Sequence, residues 1–209
     1  MPSEGTSVAL DLIPVDVVAP RLKKFAVGSI VVAVLLAVIA SFFLPVVVAV
    51  VLGLVVAVPT AGSAWVGIRR RIWLADNVVH IRGGFRTKRL VVPDVVTAEL
   101  QVRVARIDQV SLRLYDGKTR ATIALALYTG GGGREFPILA LRSLADALWT
   151  TELVPAAAIA SVLVDQLKAE ARDAGLSERP LHRAVELVRD AGRTPIATLT
   201  DREVVELTS

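Results

Sequence analysis

Three patterns of hydrophobic and polar positions succeed one another along the chain. Residues 25–68 form 44 consecutive positions without Asp, Glu, Lys, Arg or His. A single helix of that length would extend about 66 Å at about 1.5 Å per residue, roughly twice the ~30 Å hydrocarbon core of a bilayer. Pro45 in Ser41-Phe-Phe-Leu-Pro45 supplies a break, because proline cannot donate a backbone hydrogen bond and restricts the residue before it. The pattern predicts a membrane α-helical hairpin of two spans, 25–43 and 46–68, with Phe42, Phe43 and Trp65 at interface depths. The run is several times longer than the apolar core of a cleaved signal peptide and begins at residue 25.

After Arg71 the period drops to two, the mark of half-buried strands. Seven strands are predicted at 72–75, 78–82, 85–92, 95–104, 108–115, 119–128 and 134–139, with turns at Asp76-Asn77, Gly83-Gly84 and Asp116-Gly117. These residue types tolerate the positive φ of tight hairpin turns. Seven strands without intervening helices predict an antiparallel meander closed as a small barrel or sandwich. The period then returns to that of helices. Ser143 with Asp146 reads as an N-cap ahead of Leu144, Ala147 and Leu148, and Pro155 as a break before a longer helix over 156–174. A third helix is predicted from Pro180 to Gly192, and Thr200 with Glu203 forms a capping box ahead of Val204, Val205 and Leu207. The chain thus divides into an N-terminal arm (1–24), a hairpin (25–68), a β domain with a capping helix (69–153) and a helical extension (154–209). The alternation over 8–13 fits a strand at a sheet edge or a segment lying on the bilayer; terminal position and Pro2, Pro14 and Pro20 favour a flexible tail.

Composition sharpens this division. The 209 residues are 54% hydrophobic and 21% charged, so the two populations must be segregated. The absence of cysteine excludes a disulfide scaffold, a thiolate metal site and a cysteine nucleophile. Arg21, Lys23 and Lys24 precede the first predicted span and Arg69, Arg70 and Arg71 follow the second, which places both termini in the cytoplasm. Residues 69–89 hold seven basic residues against Asp76, a net of +6, whereas 90–209 hold 14 basic and 16 acidic residues. Basic clusters beside a span are drawn to anionic headgroups by about 1 kcal/mol per residue. Arg69, Arg70, Arg71, Arg86, Lys88 and Arg89 are therefore candidate lipid contacts, although Arg69 to Arg71 also suffice as a plain topology signal. Small residues recur every fourth position, at Ser29, Ala33, Ala37 and Ser41 and at Ala49, Gly53, Ala57 and Ala61. Such stripes suit close helix packing, and an Ala- and Val-rich span also produces them by chance.

Catalytic candidates are few. Gly130 to Gly133 lacks the Lys-Ser/Thr of a phosphate-binding loop and reads as a flexible hairpin loop. His80 has no ligand partner at a useful spacing, and His182 reads as an i,i+4 pair with Glu186. No ionisable group lies inside the spans, which argues against an ion or proton pathway. Nucleic-acid binding is disfavoured because only Phe85 accompanies the basic cluster. No cofactor, metal or small-molecule substrate is expected.

The stretch over 71–96, with Trp-Leu-Ala-Asp-Asn-Val-Val-His-Ile-Arg-Gly-Gly-Phe, the basic Arg-Thr-Lys-Arg strand and the Leu-Val-Val-Pro-Asp-Val-Val ending, resembles the bacterial pleckstrin-homology-like domain that follows a pair of transmembrane helices. The resemblance covers about residues 25–153. It implies a seven-stranded bent barrel capped by a helix, and membrane-tethered binding or assembly more than catalysis. Arginine outnumbers lysine 19 to 5, a bias associated with high-GC bacteria such as actinobacteria. The reading that follows is a non-enzymatic accessory or scaffold subunit of the bacterial inner membrane, docked on other integral membrane subunits such as those of an envelope lipid-transport machine. The alternative is a standalone module sensing anionic lipid.

Overall fold

The computed structural model describes residues 7–13, 15–42, 45–69, 71–83, 86–130, 132–193 and 195–208, without the side chains of 15–19, 21–23, 56, 60, 61 and 64–69. The chain forms two compact units, one of residues 13–71 and 82–86, the other of residues 1–12, 72–81 and 87–209.

The smaller unit is built on two helices, α1 (Val15–Ser41) and α2 (Val46–Arg69). They meet at the expected break: the Pro45 carbonyl accepts from the Val48 and Ala49 N–H groups at 2.9 and 3.1 Å, opening α2. Most of their large apolar side chains face outward. Phe25 is 82% exposed and Val47 74%, while Ala33, Ala49 and Gly53 are buried between the helices. The expectation of two spans is corrected. Lys24–Ser41, about 27 Å long, is long and apolar enough to cross a membrane. Among the described residues the apolar stretch of α2, Val46–Pro59, covers about 21 Å, short of the hydrocarbon core. Helix α1 also begins earlier than expected, running through Pro20. Phe43 lies outside the described residues, as does the Trp65 side chain.

The larger unit contains two antiparallel sheets. The first has the order β1-β2-β3-β4, from Val8–Ala9, Arg71–Ala75, Val78–Arg82 and Thr87–Val91. The second adds β5 (Thr97–Arg103), β6 (Asp108–Tyr115), β7 (Arg120–Thr129), β8 (Gly132–Glu135) and β9 (Ile196–Thr198) in the order β8-β7-β6-β5-β9. The expected seven-stranded closed barrel is thereby overturned. Its seven strands exist, but they divide where Val92-Pro93-Asp94 turns as a short 3-10 helix between β4 and β5, since Pro93 brings no N–H to a ladder. The edges that closure would use are already occupied. β1 covers β2, with Val8 opposite Leu74 and Ala9 opposite Trp73. β9 covers β5, with Thr198, Ala197 and Ile196 opposite Gln101, Val102 and Arg103.

Residues 8–12 are accordingly part of the sheet rather than a tail. Leu10 donates its N–H to the Ile72 carbonyl at 2.8 Å, the Asp11 carboxylate accepts from the Ile72 N–H, and Leu10 and Leu12 are buried at 1% and 5% exposure.

Helices α3 (Ile138–Leu148), α4 (Val154–Ala171), α5 (Pro180–Asp190) and α6 (Asp201–Glu206) complete the same core. Helix α3 starts five residues before the predicted cap at Ser143, because Pro137 stands as its N-cap and its carbonyl accepts from Leu141. The last predicted strand therefore ends at Glu135. Pro155 opens α4 instead of breaking a helix, since its lost N–H falls where no intrahelical acceptor exists. At the end of α4 the left-handed residue is Asp173 (φ +52), and Ala174 reaches back to the Ala169 carbonyl at 2.9 Å. The capping box of Thr200 and Glu203 forms as predicted.

If residues 8–12 anchor the fold, Leu10→Ala should destabilise the chain by about 2–5 kcal/mol, as for other fully buried leucines. Chemical unfolding of the detergent-solubilised protein measures this; an unchanged midpoint would mean that the segment adds nothing.

Candidate functional site

The two-residue turn at Asp76 (φ +51) and Asn77 (φ +58) fixes the register of the β2–β3 hairpin. It sets Trp73 and His80 at equal distances from the turn on one face, while Ile72, Leu74 and Val79 point into the core. The Trp73 and His80 rings stack 5.1 Å apart with a 5° interplanar angle. Both are half-buried. Burial pushes the His80 pKa below its ordinary value, the positive charge of Arg89 pushes the same way, and Asp76 opposes them. His80 is thus a neutral ring at neutral pH, part of an aromatic platform beside a cation. On β4, Leu90 is fully buried while Lys88 and Arg89 are exposed. This arrangement suits a lipid or headgroup surface, because an indole offers an apolar body with one polar edge and the cations supply charge.

The predicted lipid contacts are not all gathered here. Lys88 and Arg89 lie on β4, and Arg89 is close enough to His80 to act on its charge. Arg71 is exposed at the start of β2, and Arg86 is exposed ahead of β4; both belong to the hairpin unit. Arg70 lies outside the described residues, and Arg69 closes α2 with its side chain undescribed. Trp73 is the residue that sequence reasoning missed. The signal was present in the turn: strand alternation and a two-residue loop pair position 73 with position 80.

Of the small residues, Ala33, Ala37, Ala49 and Gly53 are buried or half-buried in the hairpin. A Cβ added to Gly53 would stand 3.1 Å from the Ala37 Cβ and 3.2 Å from the Ala33 carbonyl oxygen. Ser29 and Ser41 instead satisfy their hydroxyls on the Ala26 and Val38 carbonyls of their own helix. Ala57 is half-buried, and the Ala61 side chain is undescribed.

A separate polar network joins β7 and β8 to the α4–α5 connection. The Tyr128 hydroxyl donates to Glu135 Oε1 at 2.7 Å, and Arg179 donates to Glu135 Oε2. With burial first and the bond to Glu135 second, the Tyr128 phenol is raised far above its ordinary pKa. Burial, with the nearby charge of Glu135, likewise raises Glu170. Gly133, expected in a flexible loop, is a strand residue, and an added Cβ there would collide with the Tyr128 ring at 2.3 Å. Both Glu135 oxygens are engaged internally, so the network fastens elements together. Among the described residues no group of three His, Asp or Glu is placed to hold a metal ion. No family model, curated protein or solved structure matches the chain.

Arg179→Met should cost about 3–5 kcal/mol, because it strands the buried Glu135 carboxylate; calorimetry of the purified chain reads it, and a loss below that range would mean that Glu135 is well solvated. Glu170 gives a pH signature. Its folded pKa is raised, so the stability linked to it is present while it is protonated and is lost as pH rises through that folded value. Wild type and Glu170→Gln should therefore melt alike at about pH 4, where Glu170 is largely protonated, and the variant should melt higher at about pH 8.

Proposed function

We propose that this chain is a non-enzymatic accessory protein of a bacterial inner membrane, anchored by its apolar hairpin, with both termini and the folded domain on the cytoplasmic face. The observation that carries this reading is the pairing of β1 with β2. These strands bracket residues 13–71, so the chain leaves and rejoins one sheet. We read both flanks of this apolar stretch as lying on one side of the bilayer into which α1 inserts. The outward-facing side chains of α1 support membrane burial, since a soluble protein rarely exposes so large an apolar surface. Basic residues at both ends of the hairpin support the cytoplasmic side. Close packing around Gly53 leaves the larger apolar side chains directed outward, toward lipid or the helices of other integral membrane subunits.

Reporter fusions test the topology. Fluorescent protein fused to either end should fold and fluoresce, and alkaline phosphatase at either end should be inactive; an active phosphatase at one end alone would overturn the same-side arrangement. Recovery of a stoichiometric integral membrane partner in mild detergent is the result expected of a scaffold subunit, and a lone, monodisperse chain would defeat it.

The Trp73–His80 platform beside Arg89 favours a second reading, in which the domain itself reads anionic lipid through the outer face of the first sheet. Hydrogen exchange over residues 72–91 should then be slower in nanodiscs containing phosphatidylglycerol than in phosphatidylcholine alone. The double variant Lys88→Glu, Arg89→Glu should remove the difference, and an unaltered difference would defeat this reading.

A further inference from the structure

At one end of the second sheet, the β5–β6 turn, the β7–β8 turn and α5 surround a cleft of about 630 Å³. Its wall is held by Asp108, whose side chain is only 11% exposed. Asp108 Oδ1 accepts from the Ala105 N–H at 3.1 Å, which closes the β5–β6 turn, and Oδ2 accepts from Arg189 of α5 at 2.7 Å. That carboxylate is therefore committed to Arg189. The second guanidinium lining the cleft, Arg106, is exposed and forms no hydrogen bond or ion pair with any described residue. The lining thus holds two guanidinium groups and one carboxylate, which is taken by Arg189, so the concavity carries a surplus positive charge.

The glycines at the mouth add an independent observation. A side chain at Gly130 or Gly132 would meet nothing within 4 Å, and neither residue has a positive φ. Neither packing nor backbone conformation demands glycine at these two positions, and the effect of having it is an open cleft. The hydroxyls of Ser177 and Thr129 are neutral polar groups on the same wall. His182 lines it too, with Nδ1 turned 3.7 Å from Glu186 Oε1, the acid that faces it from α5.

We propose that this cleft binds the phosphate group of a phosphate ester, held by Arg106 and by the N–H groups of Arg189 not used by Asp108. A guanidinium presents paired N–H donors at the spacing of phosphate oxygens and stays charged at every physiological pH. The ester is either a small soluble molecule or a lipid headgroup, and the site does not depend on the membrane reading given above.

The test uses the full chain in phosphatidylcholine nanodiscs. Inorganic phosphate is titrated in, with sodium chloride at equal ionic strength as control, and the heat of binding and the thermal midpoint are followed. Saturable binding is expected. Arg106→Gln, which removes a charged donor, and Gly132→Leu, which fills the mouth, should each weaken it by about ten-fold or more, while leaving the phosphate-free midpoint unchanged. Absence of saturable binding, or equal affinity in the wild type and both variants, overturns the proposal. Glycerol 3-phosphate and nanodiscs doped with phosphatidylglycerol then separate the sources. Competition by the doped lipid identifies a headgroup site, and competition by the soluble ester alone identifies a soluble ligand; each supports the phosphate chemistry.

Discussion

The short ladder between β1 and β2 is the constraint on which the rest of the structure depends. Two residues of strand, extended by Leu10 donating to Ile72 and by Asp11 accepting from it, join the chain on either side of a long apolar excursion. Without them the first sheet would present an open edge at β2. The burial of Leu10 and Leu12 gives this small ladder its strength, because two hydrogen-bonded residues alone are too few to hold a strand against the conformational entropy lost on ordering it.

The same economy governs the other edge strand. β9 covers β5 with three residues, held by the helices that follow the sheets, and the chain uses sequence from its two ends to finish edges that its central strands leave open. Electrostatics follows a comparable division. The exposed cations Lys88 and Arg89 sit on an edge strand, where charge also discourages unwanted pairing. Two acids of the second sheet are instead bound internally, Glu135 to Tyr128 and Arg179, and Asp108 to Arg189.

Much of the local structure was legible in the residue pattern. The Asp76-Asn77 and Asp116-Gly117 turns, the strand alternation of β2, β3, β5, β6 and β7, Pro180 at the start of α5, Gly192 after its end and the Thr200–Glu203 box all rest on short-range stereochemistry, and each stands where it was read. The misreadings share one cause. Ser143 with Asp146 satisfies a capping pattern, but Pro137 had already begun the helix and the apolar face of α3 drew the preceding residues into it. The glycines at 132 and 133 look like a loop, yet both are strand residues paired with β7, and the Tyr128 ring leaves space at 133 for glycine alone. Of the candidate site, the basic residues were visible as composition, whereas the Trp73–His80 stack required the hairpin register, and the Arg106–Arg189 cleft required α5 to lie beside a turn some 80 residues away in sequence.

The sequence by itself determined the segregation: a 44-residue uncharged run, a basic stretch after it, alternating strands and amphipathic helices. These follow from the periods of single elements and from the cost of placing charge in hydrocarbon, both of which are local. Tertiary structure alone decided that the sheet would remain open and divide at Pro93, and that residues 8–9 and 196–198 would complete its edges. Those outcomes depend on which edge finds a partner and which side chain finds a cavity. Such choices are made between residues far apart in the chain, where the free energy of burial and backbone pairing outweighs any local preference.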